Sequence, residues 1–201
     1  MPKGIAIVGG NGSGKTALGA ALSEELNYKH MDIEDYYFRE AENPYSQPRT
    51  RKEVVQSMEL DAVQYPNFII SAVNCDFGDK INSLYECVIY LKVPLEIRLK
   101  RVKQRVYDRF GDRVLEGGDM YEQEQGFFDS IVRKTMEETD RWVKGVSCPI
   151  ISVDGTKPID DTIRLLLTKF REFPQEENIQ CHERKKQNWV KEGQTPNQEP
   201  Y

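Results

Sequence analysis

Apolar and polar positions follow two rhythms along this chain. Gly4-Ile5-Ala6-Ile7-Val8 is an unbroken apolar run, the pattern of a strand buried on both faces. Leu18, Ala21, Leu22 and Leu26 then recur at helical spacing, and residues 28–32 predict a second strand ending at Asp32. Residues 33–40 mix aromatics with acids, and Asn43-Pro44 and Gln47-Pro48 mark a loop. Thr50, with Glu53 three positions on, reads as a capping box that opens a helix to about Val63, ended by Tyr65-Pro66-Asn67. Residues 68–73 and 87–91 predict buried strands, separated by a turn at Gly78-Asp79. A basic helix from Leu95 to about Phe110 follows, then a loop bracketed by Gly111 and Gly117-Gly118. Tyr121 to about Val143 predicts one long helix, and residues 149–153 a last strand. After a turn at 154–158, Ile163, Leu166, Leu167 and Phe170 share one face of a helix running to about Phe173. Residues 174–201 are polar, with Trp189 and Val190 the apolar pair of note, and are expected to be disordered or loosely packed.

Strands alternating with helices predict an α/β fold: three αβα layers around a five-stranded parallel sheet, in a domain of residues 1–173 followed by the 174–201 tail. Ligands of such sheets gather at the carboxyl ends of the strands. The first strand runs directly into Gly9-Gly10-Asn11-Gly12-Ser13-Gly14-Lys15-Thr16, which fits the phosphate-binding pattern G-x-x-x-x-G-K-[ST]. Its glycines let successive backbone N–H groups converge on phosphate oxygens. Lys15 can reach the β- and γ-phosphates, the Thr16 hydroxyl can take a place on Mg²⁺, and the following helix aims its positive end at the same anion. Strand, glycine turn and helix stand in the order that such a loop requires.

Composition narrows the field. The chain has 201 residues, 38% hydrophobic and 30% charged, with a net charge of −5, which argues against a general nucleic-acid or membrane-surface binder. No apolar run is long enough for a transmembrane helix. The first strand starts almost at once, so no signal peptide is expected. Cys75, Cys87, Cys148 and Cys181 are scattered, so neither a zinc site nor a redox pair is indicated, and a reducing cytoplasm is the expected compartment. His30 and His182 are the only histidines, and nothing supports a Ser-His-Asp or Cys-His machine. The Asn-Lys-x-Asp guanine reader and the Leu-Ser-Gly-Gly-Gln stretch of transporter ATPases are both missing. Asp76-Phe77-Gly78 has no His-Arg-Asp partner, so a protein kinase is not indicated.

Over about residues 3–170 the chain resembles the small P-loop kinases, the nucleoside monophosphate kinase-like group that includes adenylate, shikimate and gluconate kinases. Four features in order carry the resemblance: the loop at 9–16, Asp32-Ile33-Glu34, an arginine series after Val93-Pro94, and Asp154-Gly155-Thr156-Lys157-Pro158. The arginine series sets Arg98, Lys100, Arg101, Lys103, Arg105, Arg109 and Arg113 against Asp108 and Asp112, a basic stripe inside an acidic chain. In the family this element is a lid, here about residues 98–118, whose arginines close on the transferring phosphoryl group. The resemblance implies phosphate contacts from Arg105 and Arg109, while Arg101 contacts the nucleotide there or stacks on adenine. A solvated surface helix is the plainer reading of the same stripe.

Asp32 has two possible tasks, holding Mg²⁺ through water or accepting a proton from a substrate hydroxyl. The shikimate kinase-like Asp-x-Asp is Asp32-x-Glu34 here, with Asp35 beside it. Asp76 follows a strand where a metal-supporting carboxylate can lie. Gly155 and Thr156 are expected at the adenine edge. Arg39, Arg49 and Arg51 lie where the family binds the phosphate acceptor, and are either its partners or ordinary surface arginines. Tyr36, Tyr37 and Phe38 either stack on a ring or pack in the core.

Two functions are carried forward. One is ATP- and Mg²⁺-dependent phosphoryl transfer to a small molecule, whether nucleotide, sugar or hydroxy acid, with Lys15, Asp32, Arg105 and Arg109 as the catalytic set. The other is a nucleotide-binding regulator or weak ATPase whose lid closure and polar tail are read by a protein partner.

Overall fold

In the computed structural model the described residues are 1–38 and 48–173. Arg39, Asn43-Pro44, Gln47 and the tail from Pro174, with Trp189 and Val190, lie outside them. Five strands, β1 (Gly4–Val8), β2 (Lys29–Asp32), β3 (Phe68–Ala72), β4 (Cys87–Lys92) and β5 (Ile150–Asp154), form one sheet in the order β2-β3-β1-β4-β5. Every pairing is parallel. The helices are α1 (Lys15–Leu26), α2 (Ile33–Tyr37), α3 (Arg51–Gln64), α4 (Asp79–Asn82), α5 (Leu95–Phe110), α6 (Tyr121–Arg133), α7 (Glu137–Gly145) and α8 (Ile159–Glu172). A 3₁₀ turn at Gly111–Val114 follows α5.

The period of two along each strand decides which layer a side chain enters. Ala6, Val8, Phe68, Ile70, Ala72 and Val88 face α3, α4 and α7, meeting Val54, Met58, Ile81 and Val143. Ile5, Ile7, Ile69, Ile89, Ile151 and Val153 face α1 and α8, meeting Leu18, Leu22, Leu166 and Phe170. β1 is central and buried along its whole length, as a strand covered on both faces must be. A third cluster joins α5 to α6 through Val102, Val106, Val114, Phe128 and Ile131, away from the sheet. No helix among the described residues is long and apolar enough to cross a membrane.

Most expected elements form within a residue or two of their predicted ends. The Thr50 box is present: its side chain accepts from the Glu53 N–H, and Glu53 accepts from the Thr50 N–H at 2.8 Å. Three expectations change. Residues 33–37 form a short helix, because the Asp32 carboxylate caps it by accepting from the Glu34 N–H at 3.0 Å. The Gly78-Asp79 turn continues into one helical turn, α4. The long helix from Tyr121 is broken. At Lys134 the backbone turns extended (φ −74, ψ 110), and α7 restarts at Glu137. Two strand contacts hold α7 in its new direction: Thr139 Oγ1 donates to the Val73 carbonyl at 3.0 Å, and the Tyr90 hydroxyl donates to Asp140 at 2.6 Å.

Neighbouring leucines on α8 separate packing from helix propensity. Leu166 is fully buried and Leu165 is 45% exposed. Leu166→Ala is expected to cost about 2–5 kcal/mol in denaturant unfolding, and Leu165→Ala well under about 1 kcal/mol.

Candidate active site

β1 ends at Val8, and the chain wraps around the N-terminus of α1 through residues 9–16. Gly12 (φ 79) and Gly14 (φ 97) occupy the left-handed region that side chains avoid. Partners hold the carbonyls of this loop. Gly10 O accepts from Ser13 N and from Lys15 Nζ, both at 3.1 Å, and Gly14 O accepts from Leu18 N at 2.9 Å. Asn11 O accepts from Arg98 Nη1 at 3.4 Å, and Ser13 O from Arg101 Nη1 at 3.3 Å. Among the described residues the N–H groups of Gly12, Gly14, Lys15 and Thr16 have no partner. The loop thus presents donors on one side and has its acceptors tied down on the other, which is an anion cradle. Ser13 Oγ, at its centre, is buried without a hydrogen-bond partner.

Arg98 is 9% exposed, and the sequence pattern did not single it out from the basic stripe. Its Nε donates to the Val93 carbonyl at 3.1 Å while Nη1 reaches Asn11, so it ties the end of β4 to the loop. A Cβ on Gly10 would meet its guanidinium, so a side chain there would push Arg98 off the loop. Arg101 adds a second tie, to the carbonyls of Ser13 and, at 2.9 Å, Gly155. The two arginines sit one helical turn apart on α5.

Lys15 is held down in this setting. Burial pushes its ammonium down to about 8, against the pull of Asp32, Cys75 and Glu34, while Arg98 pushes it further down. Asp32 is 7% exposed, and besides capping α2 it accepts from the Ser71 hydroxyl at 3.2 Å. Ser71 Oγ also lies 2.9 Å from His30 Nε2, so His30, Ser71 and Asp32 form a chain along β2 and β3. Burial lowers the imidazole pKa, which favours the neutral ring. With Ser71 donating to Asp32, His30 is the donor to Ser71.

The remaining sequence candidates scatter around this centre. Thr16 is exposed at the start of α1. Asp76 turns its carboxylate toward Asn82 Nδ2 at 2.7 Å, closing the turn before α4, and its carbonyl accepts from Arg51 at 2.7 Å. Gly155 borders a cavity of about 240 Å³ with Ser13, Ala17, Arg101 and Lys157, beside the cradle. Thr156 spends its N–H and hydroxyl on the Asp154 carboxylate, at 2.9 and 2.7 Å. Arg105 and Arg109 lie farther along α5 and are exposed, with the Arg109 guanidinium 5.2 Å from the Phe110 ring centre. Arg49 donates to the carbonyls of Asp35, Tyr36 and Phe38. Tyr36 and Tyr37 pack against the α3 side of the core, and the Tyr36 hydroxyl donates to Asp61. Among the described residues no three His, Cys, Asp or Glu side chains cluster as a metal site.

A glycine cradle at the end of the central strand, in a β2-β3-β1-β4-β5 parallel sheet, defines a P-loop protein with the fold of the small kinases of the nucleoside monophosphate kinase-like group. Residues 5–126 match the family described as "AAA domain", and the chain belongs to that family. It is 30% identical over 175 residues to the "Uncharacterized protein YqaC" of Bacillus subtilis (strain 168), covering 83% of this chain and 97% of that one. Its fold is similar to a gluconokinase from Sinorhizobium meliloti 1021, at 14% identity and a TM-score of 0.54, over 89% of this chain and 97% of that one. It is similar also to a sugar kinase from Janibacter sp. HTCC2649, at 17% identity and a TM-score of 0.50, over 84% and 94%.

Two predictions follow from the cradle. An anion bound against Lys15 favours its charged form, whereas the free side chain loses its proton as pH rises through about 8. Triphosphate affinity is therefore expected to hold steady below that pH and to weaken above it, approaching tenfold per pH unit. Titration calorimetry in buffers of different ionisation enthalpy should show proton uptake above pH 8 that is lost in Lys15→Met. Arg98→Met leaves the Val93 and Asn11 carbonyls without their donor, and is expected to cost about 2–4 kcal/mol by thermal unfolding.

Proposed function

We propose that this protein transfers the γ-phosphoryl group of ATP to a small-molecule acceptor in the presence of Mg²⁺. The observation that carries the reading is the one-sided cradle, with the N–H groups of Gly12, Gly14, Lys15 and Thr16 open and the carbonyls beside them held by Arg98 and Arg101. The buried, unpartnered Ser13 Oγ fits an anion seat that is completed by its ligand. The fold neighbours point the same way, one being a gluconokinase and the other a sugar kinase.

Each residue then has a task. The loop amides hold the β- and γ-phosphates, and Lys15 neutralises charge that spreads over the γ-phosphoryl oxygens in the loose transition state. Arg101, Gly155 and Thr156 border the seat for adenine, which the missing guanine reader favours over guanine. The donor set suits Mg²⁺, which takes few protein ligands and completes its shell with water and phosphate. The Thr16 hydroxyl would hold it, with Asp32 reaching it through water. Bound there, the ion neutralises phosphate charge. When the acceptor is a hydroxyl, its oxygen forms the new P–O bond, the γ-phosphorus–oxygen bond to ADP breaks, and the proton passes to Asp32. The His30–Ser71 chain fixes the orientation of that carboxylate. Arg98 and Arg101 anchor the start of the 98–118 lid to the loop, and Arg105 and Arg109, farther along the same helix, would meet the phosphoryl group on closure. Residues 1–173 form the catalytic domain. The scattered cysteines, without paired spacing, favour a reducing cytoplasm as its compartment.

The test is ADP release from ATP–Mg²⁺ over a panel of nucleotides, sugars and hydroxy acids. One acceptor class is expected to raise release above background hydrolysis. Lys15→Ala should abolish that gain, and Asp32→Asn should lower kcat by about 10²–10⁴-fold. Release that no acceptor stimulates contradicts the proposal.

A further inference from the structure

The sheet face that α7 covers is open at its β5 edge. Ile151 and Val153 lie in the core beneath α1 and α8, while Ile150, Ser152 and Asp154 alternate with them and are exposed on the opposite face. The strand register sets Ser152 beside Tyr90 and Asp154 beside Lys92. α7 reaches as far as Tyr90, whose hydroxyl donates to Asp140. A cavity of about 480 Å³ remains between these strand ends, Met136 just before α7, and the Val93-Pro94 turn. It is separate from the cavity beside Gly155, which is lined by Ala17 and Thr162 of α1 and α8 on the other face of the sheet. Of the glycine loop, only Gly10 enters its wall among the described residues.

Arg98 lines this cavity and is buried without a counter-charge. Its bonds go to two neutral carbonyls, those of Val93 and Asn11, and no carboxylate among the described residues pairs with it. Nη2 makes no hydrogen bond there. Burial lowers the guanidinium pKa, and Tyr90 is the group that opposes this. Buried charges are ordinarily paired, because desolvating a lone one is costly. Lys92 is exposed, lies 5.2 Å from the Tyr90 ring centre and forms no ion pair among the described residues. The Ser152 hydroxyl also makes no hydrogen bond among them. Asp154 is the one acid of the wall, and Thr156 engages its carboxylate through N–H and hydroxyl. Two cations against one acid leave a single positive charge, and Leu91, Pro94, Met136 and Val153 make the remaining wall apolar. One negative charge on an apolar body suits such a lining better than a chain of phosphates.

We infer that this cavity is a second ligand site, for a small monocarboxylate with an apolar body, whose carboxylate is met by Arg98, Lys92 and the Ser152 hydroxyl. The site lies outside the nucleotide seat and does not depend on phosphoryl transfer. Because Arg98 also holds the Asn11 carbonyl, the bound carboxylate touches the same side chain that steadies the glycine loop.

The experiment is NMR titration of the ¹⁵N-labelled full chain with phenylacetate and hexanoate, with their amides, and with phenyl phosphate, each with and without saturating ATP–Mg²⁺. Each acid is expected to bind at least about tenfold tighter than its amide, to shift the amides of Lys92 and Ser152, and to keep that preference when ATP–Mg²⁺ is present. Lys92→Gln and Ser152→Ala change exposed side chains, and thermal unfolding checks that they fold. Lys92→Gln is expected to erase about fivefold or more of the preference, and Ser152→Ala a smaller part. The assignment is overturned if no acid binds, if the amides bind equally well, or if Lys92→Gln leaves the preference intact. Shifts confined to residues 12–16 and abolished by ATP–Mg²⁺ would place the anion in the phosphate seat and also overturn it. Tighter binding of phenyl phosphate than of phenylacetate would overturn the choice of a single charge.

Discussion

A backbone that offers its N–H groups to an anion must dispose of the carbonyls that come with them, and the glycine loop depends on how this is done. Each peptide carries both dipole ends, so a loop that gathers donors on its inner side turns acceptors outward or sideways. Here Ser13 N and Lys15 take the Gly10 carbonyl, and Arg98 and Arg101 take those of Asn11 and Ser13. The two arginines belong to α5, the first helix after β4, so the loop and the basic helix are one mechanical unit. Burial depresses Lys15 most and Arg98 adds to it, and an arriving anion would offset that repulsion.

The sheet sets the distances within this unit. β1 is buried on both faces and gripped by β3 and β4, which leaves its carboxyl end little freedom. Asp32 lies two strands away, held by the α2 cap and by Ser71, so its carboxylate is oriented before any substrate arrives. The strands below position the loop and Asp32, while Arg105 and Arg109, on α5 beyond Arg101, are exposed to solvent.

Much of this was legible in the chain because it is local. Strands 68–72 and 87–92 are apolar runs, the Thr50–Glu53 box needs only four adjacent residues, and the loop at 9–16 carries its own pattern. What escaped is what depends on distant residues. Lys134 and Thr135 are not helix breakers, so nothing local marks the end of α6. The break is held by Thr139 and Asp140 reaching Val73 and Tyr90, more than forty positions earlier in the chain. Arg98 counts as one more charge in a basic stripe until Gly10 is seen against its guanidinium. His30 gave no signal, because its partner Ser71 is brought beside it by the register of β2 on β3. A cavity beside the α6–α7 break draws on α2, the end of β3, α3 and α7, and Arg51 is its one cation in the segment where an acceptor site was expected.

The most direct measurement of the central claim is amide hydrogen exchange and ¹⁵N chemical shift at residues 9–16, with and without ATP–Mg²⁺. The account predicts that the amides of Gly12, Gly14, Lys15 and Thr16, exchanging freely in the apo protein, become protected and shift on nucleotide addition. Unchanged exchange at these four amides under saturating nucleotide would contradict it.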